Sequence, residues 1–130
     1  MSRPIAHPKF QTLVRAVIVV VALGIGTAYA EEFLSVLDDM PLAPGLTELT
    51  DQAADFETPA GRIIDAAAQG EVGAAAVSAF YDNTLPALGW VRERQGQFVR
   101  DHERLTIAVA PAARKGWITA HFSLRPRDAH

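Results

Sequence analysis

The chain predicts an α+β domain. An antiparallel sheet, built from an N-terminal hairpin and a C-terminal meander, carries one principal helix packed on one face, and an N-terminal signal or anchor helix precedes it. Three observations predict this. The first thirty residues have the order of an export leader. Apolar residues between 74 and 88 recur at spacings of three and four. From Trp90 onward the apolar period falls from about 3.6 to about 2.

The leader begins with Arg3, Lys9 and Arg15, and no acid precedes Glu31. Ala16 to Ala30 carries no charge and closes on Ala28-Tyr29-Ala30, a small-x-small site. Basic start, apolar run and small-residue site together read as a signal peptide over residues 1–30. The alternative is an uncleaved anchor. Fifteen uncharged residues at roughly 1.5 Å each reach about 22 Å, short of a hydrocarbon core of about 30 Å. Extending the span back to Phe10 would oblige Arg15 to snorkel. There is no cysteine, which excludes lipid attachment through a thiol, disulfides and thiolate metal sites.

Removing thirty of 130 residues leaves 100, enough for one small domain held by apolar packing. Residues 31–45 read as a short helix and a Pro-rich linker, and 46–126 as the α+β domain. Charge is uneven. Residues 31–91 hold eleven acids and one base, Arg62, whereas 92–130 hold eight bases and four acids. Either the halves complement each other within one fold, or the basic half meets an envelope protein or an anionic surface. Nucleic acid is not expected, because no basic run exceeds Arg114-Lys115.

Taken in order, Glu31 to Asp39 predicts the short helix, with acids near its start suiting the dipole. Two prolines and a glycine in Met40–Gly45 break it. Leu46 to Thr50 predicts a short strand. Thr58-Pro59-Ala60-Gly61 suits a tight turn, so Ala53–Glu57 and Arg62–Ala68 predict a hairpin; Ile63-Ile64 favours a strand and Ala66-Ala67-Ala68 does not. Val77, Phe80, Tyr81, Thr84, Leu85 and Leu88 make the apolar stripe of a helix from Ala74 to Leu88. Gly73 is a weak cap, Pro86 predicts a kink or tightened end, and Gly89 fits the left-handed position after it. Trp90–Arg94, Phe98–Asp101, Arg104–Ala110 and Trp117–Leu124 predict four strands, with turns at Gln95-Gly96, Asp101–Glu103 and Pro111–Gly116. Leu105, Ile107 and Val109, with Ile118, Ala120, Phe122 and Leu124, form the buried side of a sheet whose other side is wet.

Candidate chemistry is sparse. Ser35, Ser78 and Ser123 lack a nucleophile-elbow context. Asp38-Asp39 is not a calcium loop, and Gly70-x-x-Gly73 lacks the lysine of a phosphate-binding loop. His102 lies between Asp101 and Glu103 with no second histidine at metal spacing. His121, on the polar side of the last strand, is a pH-sensitive group if a carboxylate faces it. An enzyme is therefore not expected, nor a metal or cofactor. Two sets remain. Arg92 and Arg94, two apart, predict a shared basic face with Arg100 across the hairpin, suited to a partner, or else a solvated face paired with Glu93, Asp101 and Glu103. Tyr81, Trp90 and Trp117 predict the amphipathic wall of a helix–sheet groove, or else ordinary packing.

Four stretches carry a resemblance: Met40–Leu46, Thr58–Ile63, Phe80-Tyr81 through Gly89-Trp90, and Phe98-x-Arg100 with Leu105-x-Ile107. In these the chain resembles a family of small, exported, uncharacterised bacterial proteins. The resemblance implies an envelope location and no particular activity; Gly73 departs from the Ser or Thr expected as the helix cap. The expected function is a non-enzymatic periplasmic binding or accessory module of the cell envelope. Two alternatives are a membrane-tethered subunit of an inner-membrane complex, with residues 10–30 retained, and a binder of small molecules or lipid in a helix–sheet groove.

Overall fold

The structure, a computed structural model, describes residues 32–127. The expected signal or anchor helix at 1–30 and the residues after Arg127 lie outside them.

The first described segment corrects an expectation. Of the segment 31–45, the described residues 32–45 do not form a short helix and a linker. From Phe33 they form a hairpin of β1 (Phe33–Leu34) and β2 (Leu37–Pro41), followed by a loop that enters the core. Leu34 and Leu37 stand opposite each other across the Ser35-Val36 turn. Their spacing of three imitates a helical repeat but is a cross-strand pair. Leu34, Leu37 and Met40 are all buried. A nine-residue helix is marginal by itself, so burial decides the conformation. The Glu48 carboxylate holds the turn, accepting hydrogen bonds from the Ser35 N–H (2.9 Å) and hydroxyl (2.7 Å).

The remaining elements follow the alternation. β3 (Thr47–Glu48), a 3₁₀ turn at Thr50–Gln52, β4 (Ala54–Thr58) and β5 (Gly61–Gly70) precede α1 (Ala74–Thr84). A 3₁₀ turn (Leu85–Leu88), β6 (Val91–Arg94), β7 (Gln97–Arg100), β8 (Glu103–Pro111) and β9 (Ile118–Pro126) complete the chain. The larger sheet runs β3-β5-β9-β8-β7-β6, antiparallel throughout, with β4 also paired to β5. The alanine stretch of β5 is strand despite its propensity, because it pairs with β9 from Ile64↔Leu124 to Gly70↔Ile118. Gly70 has a steric reason. A Cβ there would collide with the carbonyl oxygen of Gly45, where the loop after β2 crosses the strand end.

One side of the sheet is greasy. Cross-strand rows Ile64–Leu124–Leu105–Phe98 and Ala66–Phe122–Ile107 lie on it, all at 8 % exposure or less. Val77, Tyr81 and Leu85 of the helical segment cover it, together with Leu34, Leu37, Met40, Leu42 and Leu46. The helix is thus one of two covers; the hairpin and its loop are the other. The helix ends as expected. Pro86 has no N–H to offer, so the last turn tightens to 3₁₀ and Gly89 takes φ +92°.

The opposite side is wet and polar groups pair across it. Gln69 donates to Thr119 and Gln97 to Thr106 (3.3 and 3.4 Å). Arg125 binds Asp65 and Arg104 binds Glu93, both at 3.1 Å. The Arg104 guanidinium holds the Glu93 carboxyl below the usual carboxylate range. Three arginines of the basic back half, Arg92, Arg100 and Arg125, take Asp82, Asp39 and Asp65 from the acidic front half. Charge asymmetry along the chain is in good part internal complementarity. No helix among the described residues is long and apolar enough to cross a membrane.

Candidate functional site

The three arginines do not form one face. A bulge in β6 sets Arg92 opposite Phe98 and Arg94 opposite Gln97, so Glu93 and Arg94 together oppose a single residue. Arg92 therefore turns to the helix side, where Asp82 lies at 3.4 Å, and Arg94 joins the wet side with Gln97. Arg100 is held inside its own fold. Its guanidinium stacks over Trp90 at 4.2 Å from the ring centroid, and its Nη1 donates to Asp39 and to the Leu88 carbonyl, both at 2.9 Å.

The three aromatic residues do not form one wall either. Tyr81 and Trp90 are each 1 % exposed. The Tyr81 hydroxyl donates to the Pro41 carbonyl (2.8 Å) and accepts from the Ala43 N–H (3.1 Å), which ties helix to hairpin loop. Its ring meets Phe80 and Phe122 edge to face. Burial pushes its hydroxyl pKa well above the ordinary tyrosine value. The Trp90 indole N–H is buried with no hydrogen-bond partner among the described residues. Trp117 sits apart on the β8–β9 loop under the Arg114 guanidinium, 4.1 Å from its ring centroid. His102 lies at the exposed β7–β8 turn and His121 on the wet side between Ala67 and Ala108. No group of three or more His, Cys, Asp or Glu side chains among the described residues is placed to hold a metal.

A different feature has the geometry of a site. β7 is four residues long and β8 is nine. β7 covers β8 only from Glu103 to Thr106. The turn at Gln95-Gly96 then reverses the chain, and the Gly96 carbonyl takes the Ile107 N–H at 2.8 Å. That bond shows which way β8 points: Ile107 and Val109 aim their backbone groups away from β9, as alternate residues of an antiparallel strand do. Beyond Ile107, no strand among the described residues pairs with this edge. Gly96 takes φ +75°, and a Cβ there would stand 2.8 Å from the Ile107 carbonyl oxygen, so only glycine brings the turn this close.

The free edge opens onto a trough of about 690 Å³ between β8 and α1. Its helix wall is Ala75, Ser78, Ala79 and Asp82, on one face by their three- and four-residue spacing. Ile107 and Val109 form its sheet side. Ala75 and Ala79 are exposed and Val109 half-buried. A cavity of about 20 Å³ between Tyr81, Phe98 and Ile107 adjoins it, room for one water. Neither Trp90 nor Trp117 lines the trough.

Sequence reasoning missed this feature. Unequal strand lengths were visible in the spacing of the turns, and so was the run of small residues at the helix start. Which edge they left bare depended on strand order. No protein-family profile, curated protein or solved structure matches the chain.

Proposed function

We propose that the protein is a non-enzymatic binding module of the bacterial cell envelope that accepts an extended polypeptide strand along the free edge of β8. One observation carries the reading: Val109 presents an N–H and C=O, in ladder geometry, that no strand among the described residues pairs, beside a trough walled by small side chains. Edge groups of that kind are a template for β-augmentation, in which main-chain hydrogen bonds give affinity and alternate side chains give specificity. The leader at 1–30 supports the envelope assignment, because its basic start, apolar run and Ala28-Tyr29-Ala30 site suit export.

The test is a titration of the ¹⁵N-labelled protein with a capped hexapeptide of alternating threonine and valine. Amide shifts clustered at Ile107–Ala110 and along Ala75–Ala79 are expected, and Val109→Pro should abolish them. That substitution deletes a donor facing the open edge and leaves the β9 ladder intact, and proline is tolerated at sheet edges. Shifts that persist in Val109→Pro, or that cluster elsewhere, would overturn the reading.

A further inference from the structure

We infer, resting on the strand-addition reading, that the segment bound here carries one large apolar side chain opposite Val109 and an acidic residue toward the β8–β9 loop. The alternation of the sheet decides the first part. In an antiparallel sheet a residue directly opposite Val109 points to the same side as Val109. That is the helix side, because Val109 continues the row of Leu105 and Ile107 and packs against the core. The space it enters is bounded by Ala75 and Ala79, which have only a methyl group each, so a leucine- or phenylalanine-sized group has room between helix and strand. Neighbouring residues of the segment point to the wet side, next to Ala108 and Ala110, where nothing selects for size.

The ladder is already started. Gly96 occupies the position before the bare stretch and takes the Ile107 N–H, so an incoming strand continues the line of β7. Pro111 ends the edge, since it has no N–H to give. The segment therefore engages about four residues of β8, from Ala108 to Pro111.

Charge decides the second part. At the Gly96 end the trough contains Asp82, already paired with Arg92 at 3.4 Å, and no cation among the described residues lines the trough to receive an acid there. At the other end the chain leaves Pro111 directly into the Ala112–Trp117 loop. There Arg114 and Lys115 are exposed and, among the described residues, have no carboxylate within ion-pair distance. An acidic residue at the loop end is matched by two cations. As a continuation of β7 the segment runs antiparallel to β8, which places its N-terminal residue at the loop end.

The probes are two capped pentapeptides, Glu-Thr-Leu-Thr-Lys and Lys-Thr-Leu-Thr-Glu, with alanine replacing leucine in a second pair, titrated into the full-length ¹⁵N-labelled protein. Glu-Thr-Leu-Thr-Lys is expected to bind at least threefold tighter than Lys-Thr-Leu-Thr-Glu, and the opposite order overturns the charge assignment. The leucine peptides should bind at least fivefold tighter than their alanine forms. Ala79→Leu fills the trough from an exposed helix position and should remove the leucine advantage, with the melting temperature unchanged. Arg114→Glu/Lys115→Glu should reverse the preferred charge order. Equal affinity for leucine and alanine peptides, or a charge order insensitive to the loop substitution, overturns this inference while the shifts at Val109 uphold strand addition. Absence of any Val109 shift with all four peptides overturns both.

Discussion

Replacing Tyr81 by phenylalanine deletes one oxygen atom and, with it, two buried hydrogen bonds. The ring keeps its place between Phe80 and Phe122, with centroids at 5.0 and 5.6 Å, so no cavity larger than the oxygen opens. What is lost is the partner of the Pro41 carbonyl and of the Ala43 N–H. Both residues are buried, and water cannot replace the hydroxyl without opening the loop. Leaving a buried backbone group unpaired costs about 1–3 kcal/mol. Two such groups give a loss of about 2–6 kcal/mol, a large part of the roughly 5–15 kcal/mol that holds a small domain together. At about 4–8 °C per kcal/mol for a domain of this size, the melting temperature should fall by at least roughly 8 °C. Urea unfolding followed by circular dichroism measures the change, and hydrogen exchange at the Ala43 amide localises it. A loss below about 0.5 kcal/mol, with the Ala43 amide still protected, would refute the claim that this hydroxyl fastens the N-terminal hairpin to the helix.

Other predictions follow the same logic. Tyr81 also links stability to pH. Its folded-state pKa is raised by burial, so its contribution is complete below the ordinary tyrosine value of about 10 and is lost as pH rises above it. Alkaline titration of the melting temperature should show a steeper decline in the wild type than in Tyr81→Phe. Arg100→Ala removes a stacking contact with Trp90, a partly exposed ion pair and a bond to a helix-end carbonyl, for a loss of about 1–2 kcal/mol. Arg94→Ala, at an exposed strand end with no ion pair among the described residues, should change the urea midpoint by less than about 0.5 kcal/mol equivalent. Gly70→Ala forces a methyl group into the Gly45 carbonyl. It should destabilise the protein by more than about 2 kcal/mol, read by the same urea titration.

Much of the C-terminal half was legible in the residues alone. Leu105-x-Ile107-x-Val109 and Ala120-x-Phe122-x-Leu124 alternate because one side of their sheet is dry, and that demand is local to each strand. Pro86 and Gly89 announced the tightened helix end through chemistry no neighbour can alter: a missing N–H and a permitted positive φ. The expected helix at Glu31–Asp39 misled over its described residues, because apolar groups three apart satisfy a helix and a tight hairpin equally well. The core that chose between them is contributed by Tyr81, Phe122 and the rest of the inner face, far along the chain. Arg92 and Arg94 misled because a bulge shifts the alternation by one residue, and a bulge leaves no mark in composition.

By itself, then, the sequence determined the strands after β2, the turns between them, the helix end and, outside the bulged β6, the wet and dry sides, since propensity and periodicity act over a few residues. Strand order was settled only by tertiary packing: β9 lies between β5 and β8, which leaves the far half of β8 beyond the reach of a four-residue β7. The candidate site is that unfilled length of edge. It arises from a mismatch between two strands and from the helix laid beside them, a relation among distant segments that no single stretch of the chain encodes.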